Sequence, residues 1–99
     1  MASSGSLLLP TVVSVTNVAT LIAAANGARL AAILRNLGDS TGQTVFIGGA
    51  GVTTATGTPL ENGPSVGRRG DTMTLPGTAA IFGIVAAGAQ DVSVLVSAD

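Results

Sequence analysis

QTVFIGGAGVTTATGTPL, from Gln43 to Leu60, joins a short apolar run to a loop of glycine and threonine. Thr44-Val45-Phe46-Ile47 is β-branched or aromatic at every position, which suits a pleated, half-buried surface far better than a helix. Residues Gln43 to Ile47 therefore read as a strand. Gly48-Gly49-Ala50-Gly51 removes side chains where the chain turns, and Val52 to Thr58 continues with small residues that offer backbone contacts and little chemistry. Val52, Thr53 and Thr54 in this loop are candidate partner contacts.

Working outward toward the N-terminus, Asn36 to Gly42 is dense in turn formers and closes a strand from Arg29 to Asn36. A second strand, Ala19 to Ala25, precedes it, and Asn26-Gly27 between apolar runs is the strongest short-range hairpin signal. The rival is a single alanine-rich helix across the same stretch, because alanine and leucine are good helix formers. Thr11 to Thr16 is the first strand. Residues 1–10 are expected to form a flexible arm whose Leu7, Leu8 and Leu9 dock on a neighbour.

Toward the C-terminus, Thr58-Pro59-Leu60 is a short extended piece, and Ser65-Val66 is a brief edge strand. Asp71 to Leu75 alternates so that Met73 and Leu75 share a face. Ala80 to Ala86 is a buried strand in which Gly83 suggests a bulge or a close backbone approach. Ala87 to Gln90 is a hairpin loop, and Asp91 to Ser97 places Val92, Val94 and Val96 on one face. Seven or eight short strands at intervals of roughly 8 to 12 residues predict one all-β domain over residues 11–99, an antiparallel β-sandwich or jelly-roll-like barrel.

Composition narrows the function. Apolar residues reach 46%, but alanine and valine dominate them and there is no tyrosine or tryptophan. Such a core buries little area per side chain, so a partner surface is expected to complete the burial. A mean hydropathy of +0.62 with 9% charged residues points the same way. Cysteine and histidine are both absent, which excludes thiolate chemistry and removes the commonest general base and metal ligand. Four dispersed arginines against five acids make no face for a phosphate backbone, so no nucleic-acid partner is expected. No apolar run is long enough to suggest a membrane span.

Gly48-Gly49-Ala50-Gly51 fails as a dinucleotide fingerprint because Thr54 stands where the third glycine belongs, and a P-loop fails for want of a lysine. The acids Asp39, Glu61, Asp71, Asp91 and Asp99 all fall in or beside turns, where they stay solvated. The two phenylalanines are assigned to the core. No catalytic, metal or cofactor residue is proposed. Arg68 and Arg69 are candidates for pairing with acids on another chain, where a planar guanidinium suits bidentate contact. Arg69-Gly70-Asp71 spells an adhesion tripeptide.

RLAAILRN (29–36), TVFIGGAGVTTATGTPLENG (44–63) and AIFGIVAAGAQDVSVLV (80–96) together resemble the small β-domains of tailed-bacteriophage virion proteins. The shared features fall at Asn36, Val45 to Gly48, Gly51 to Thr53, Pro59-Leu60, Asn62-Gly63, Phe82 to Ile84 and Val92 to Val96, across residues 11–97. The resemblance implies a sandwich or jelly-roll fold without enzymatic activity, and carries over no functional residue. Together with the low charge, the thin core and the leucine-bearing arm, it raises two expectations. The first is a capsid decoration or cement protein at the virion surface, associating with copies of itself as a trimer and with the major capsid protein. The second is a receptor-binding module of a head fibre or tail, using the Gly49 to Thr58 loop or Arg69-Gly70-Asp71.

Overall fold

β-Branched and apolar runs set the strands, and polar or glycine-rich runs end them. The computed structural model describes the backbone of residues 7–98 and the side chains of residues 10–97. Eight strands form: β1 (Leu7–Thr16), β2 (Thr20–Ala23), β3 (Arg29–Asn36), β4 (Val45–Gly48), β5 (Thr58–Leu60), β6 (Thr72–Pro76), β7 (Ile81–Ile84) and β8 (Ala89–Ala98). Among the described residues there is no helix, so the alanine-rich stretch is extended.

The strands lie in two four-stranded sheets, ordered β1-β8-β3-β6 and β2-β7-β4-β5, with every neighbouring pair antiparallel. The pairs β1·β8, β2·β7, β3·β6 and β4·β5 show the logic: the chain doubles back between β4 and β5, and the resulting ribbon rolls up. Rolling brings β8 onto β3 and β7 onto β4, which makes the sandwich a jelly roll.

Between the sheets lie Val15, Ala32, Leu34, Val92 and Val94 from the first and Ile22, Val45, Ile47, Leu60 and Ile81 from the second. Every member is aliphatic. Val92, Val94 and Val96 share the inward face as expected, with Met73 and Leu75 packed against the same cluster. The molecule is 17 Å across its thinnest dimension, two sheets and little more.

Two expected hairpins do not form. β2 and β3 belong to different sheets, as do β7 and β8, so both connections cross between layers. Gly27 does not take the positive φ that a type I′ turn needs. Asn26 instead makes an ordinary turn: its carbonyl accepts from the Arg29 N–H at 3.0 Å and its Oδ1 from the Ala28 N–H at 2.9 Å. The physical reason is burial. Both strands carry an aliphatic inward face, and placing them in opposite layers lets those faces cover each other.

The first strand begins at Leu7, within the expected arm. β1 keeps an unbroken register with β8 from Leu7 opposite Ala98 to Thr16 opposite Ala89, because β8 is long enough to template it. Residues 1–6 lie outside the described residues. Ser65-Val66 is a turn instead of an edge strand, with the Arg68 N–H donating to the Ser65 carbonyl at 3.1 Å. At Gly83 the expected close backbone approach is replaced by neighbouring side chains that close over the glycine. A Cβ there would come within 2.7 Å of Ile22 Cδ1 and 3.1 Å of Val45 Cγ1, and the facing strand β2 shifts register between Leu21 and Ala23.

Candidate interaction surface

Strand alternation decides what the second sheet shows to its surroundings. Val45 and Ile47 point inward on β4, and Ile81 and Gly83 on β7, so Phe46, Phe82 and Ile84 point outward. Register places Leu21, Phe82 and Gly48 in one row across the sheet, and Ile84, Phe46 and Pro59 in the next. Both rows lack a charge, Leu21 is 47% exposed, and both phenylalanines are half-buried. Gly57 lies against Phe46, where a Cβ would come within 2.6 Å of the Phe46 Cβ.

The assignment of Phe46 and Phe82 to the core is therefore corrected: the chain's only aromatic rings lie outside it. The inward slots of β4 and β7 belong to Val45, Ile47, Ile81 and Gly83, and the period-two alternation turns the rings between them outward. The signal was present in Val45-Phe46-Ile47. With β-branched residues on both sides of the ring, one set had to face out. Aromatic groups are enriched in protein interfaces, where they add large contact area at small entropic cost.

The outer face of the first sheet is also poor in charge. Pro10, Leu95, Ile33 and Thr74 form one row across its four strands, while Arg35 and Asp91 stand toward one end.

The residues singled out from sequence scatter. Leu7, Leu8 and Leu9 belong to β1, and their side chains lie outside the described residues. Val52 is buried, 7% exposed, and is corrected from partner contact to a plug over the outward side of β4: a Cβ at Gly48 or Gly57 would each come within 2.9 Å of its Cγ2. Thr53 is exposed but engaged, since its hydroxyl lies 3.0 Å from that of Thr56 and each hydroxyl accepts the other's N–H. Thr54 is exposed. Arg68 and Arg69 are exposed and flank an open cleft of about 590 Å³ that also takes in Asp39, Thr41 and Gln90.

Asp39 organises that end of the molecule. Its Oδ2 accepts the Gly67 N–H at 3.0 Å, and its Oδ1 accepts the Thr41 hydroxyl at 2.7 Å and the Thr41 N–H at 2.9 Å. The Gly67 N–H, followed by the Thr41 hydroxyl and N–H, lowers its pKa from 3.8 to about 2. The folded carboxyl thus binds its proton more weakly than the unfolded one. The contribution to stability is complete above pH 3.8 and is lost as the pH falls through about 2. We expect the Gly67 and Thr41 amides to lose exchange protection over that window, and Asp39→Asn to show the loosened loop already at neutral pH. Equal protection at pH 6 and pH 2 would remove this role.

Arg69-Gly70-Asp71 lies flat on the body. The Gly70 N–H donates to the Asn36 carbonyl at 2.9 Å, and the Asp71 N–H donates to the Glu61 carbonyl at 2.8 Å. A Cβ at Gly70 would meet the Glu61 carbonyl oxygen at 2.1 Å, so the glycine is required by packing.

No family model, curated protein or solved structure matches this chain.

Proposed function

We propose that this protein is a structural component of a phage virion, a decoration or cement protein that binds copies of itself and the major capsid protein at the shell surface. The observation that carries this reading is the outward placement of both phenylalanines on an uncharged sheet face. A thin aliphatic core and the resemblance to small virion β-domains support it. Fold alone carries no function, and jelly rolls serve lectins and cupins as well as capsids.

The sheet face is the contact with the shell, and Leu21, Phe46 and Phe82 are its anchors. Receptor binding through Arg69-Gly70-Asp71 is less favoured, because the backbone at Gly70 and Asp71 is tied to Asn36 and Glu61.

The test uses particles of the phage that encodes the chain. Wild-type protein is expected to sediment with them and to raise their resistance to heat and chelation. The combined Leu21→Ser, Phe46→Ser and Phe82→Ser variant is expected to remain in the supernatant at least 10-fold more, since each buried anchor commonly contributes about 2 kcal/mol or more. Equal binding by the variant, or particles equally robust without the protein, would overturn the reading.

A further inference from the structure

Each sheet of this sandwich has two edges, and three of the four are protected. β5 is three residues long with Pro59 at its centre, β2 is four residues with a register shift, and β6 is five residues ending in Pro76. Short strands, prolines and bulges are how proteins prevent edge-to-edge pairing. β1 is different: it is ten residues long and regular along its whole length, with no charged side chain from Leu7 to Thr16 and Pro10 as its single protective feature. Among the described residues nothing pairs with its outer side.

Which backbone groups face that side follows from parity. In an antiparallel strand the N–H and C=O of one residue point to one side and those of the next residue to the other. Proline within a sheet directs its nitrogen away from the ladder, which puts Pro10, Val12, Ser14 and Thr16 on the open side. The bonds of Thr16 agree. Its N–H donates to Thr20 Oγ1 at 3.2 Å and its carbonyl accepts from the Val85 N–H at 3.0 Å, so neither is used on β8. Thr16 is thus already occupied, and the free stretch is Pro10 to Ser14.

We infer that β1 pairs antiparallel with β1 of a second copy, about a two-fold axis at Val12, to make one continuous eight-stranded sheet. The edge is self-complementary in that register. Val12 and Val12 of the second copy exchange two N–H···O bonds, and each Ser14 N–H meets the Pro10 carbonyl opposite. The missing proline N–H costs nothing to the ladder with β8. Val12 is 61% exposed, and no like charges meet across the axis. In this register the row of Ile33, Leu95 and Pro10 in each copy continues into Ser14 and Asp91 of the other, so the two outer faces become one continuous surface. This rests on the self-association proposed above, but the contact is a two-fold one and differs from the trimer that the resemblance suggests.

Sedimentation velocity of the full chain over a range of concentrations tests it. Wild type is expected to be a dimer. Val12→Pro removes the central open-side N–H and leaves the β8 ladder whole, so it is expected to weaken dimerisation at least 10-fold while keeping the wild-type circular dichroism spectrum. Should Val12→Pro fail to fold, Val12→Lys, which brings two cations together across the axis at an exposed position, decides by the same loss. In a chain without cysteine, Val12→Cys is expected to oxidise to a covalent dimer and Arg68→Cys, at the far cleft, is not. A wild-type monomer, a trimer, or a dimer that survives Val12→Lys would overturn the pairing. A dimer that fails to bind particles would leave the pairing standing and remove the capsid role, and a particle-binding monomer would do the reverse.

Discussion

Asn36→Ala should cost more stability than any other single truncation in the chain, about 3–5 kcal/mol, measured as a lower urea midpoint with little change in slope. Asn36 is 0% exposed, and its side chain satisfies three backbone groups at once. Nδ2 donates to the Gln43 carbonyl at 2.8 Å and the Leu60 carbonyl at 2.9 Å, and Oδ1 accepts the Gly38 N–H at 2.8 Å. Its own N–H and carbonyl bond to Asp71 and Gly70, so one residue holds the end of β3, the approach to β4, the end of β5 and the start of β6. Truncation leaves two carbonyls and one N–H buried without partners, each worth about 1–3 kcal/mol. A domain of this size has about 5–15 kcal/mol in total. Asn36→Asp sharpens the test. Its volume is conserved, but a carboxylate facing two carbonyl oxygens is repelled, so this variant should gain stability as the pH falls from 7 toward 5. A pH-independent loss equal to that of Asn36→Ala would show that the amide fills space and does not bridge.

Arg29→Ala should come second, at about 3–4 kcal/mol. Arg29 is 4% exposed, a buried cation whose bonds run only to main-chain carbonyls. Nε donates to Gly77 at 3.0 Å, Nη1 to Ala24 at 2.9 Å, and Nη2 to Ala79. The guanidinium therefore ties the β2–β3 crossover to the β6–β7 loop at the end of the sandwich opposite Asn36. A planar fork with five donors can serve three acceptors on two loops, which an ammonium cannot do with the same geometry. Arg29→Lys is accordingly expected to lose about 2 kcal/mol, part of what alanine loses. If lysine and alanine were equivalent, or both neutral in urea unfolding, the carbonyls would be hydrated and the clasp unimportant.

Much of the fold is legible in the local pattern. Alternation marks Met73 with Leu75 and the valines of the last strand, because period-two burial is written directly into residue order, and Pro59 marks Thr58 to Leu60 as extended. The hairpin read at Asn26-Gly27 was not local information. The same dipeptide serves a tight hairpin or a crossover, and what selects between them is where the next aliphatic face is needed. Arg29 and Asn36 were invisible as clasps for a related reason: their partners lie up to 50 residues away in sequence. In the candidate surface, Arg68, Arg69, Thr53 and Thr54 do lie outside, whereas Val52 is buried against Gly48 and Gly57, and Phe46 and Phe82 lie outside the core. A lone apolar residue in a glycine loop and an aromatic in a strand look respectively exposed and buried until it is known where the loop folds back and which side of the strand faces in.

The amino-acid sequence alone determined that this chain is an all-β domain with a core short of bulky groups, few charges and no histidine or cysteine chemistry, since these follow from composition and short-range alternation. Tertiary structure decided which strand lies in which sheet, which side of each strand is wet, and which edge is open. Those choices depend on how far-separated faces cover one another, a property of the rolled ribbon that no window of neighbouring residues contains.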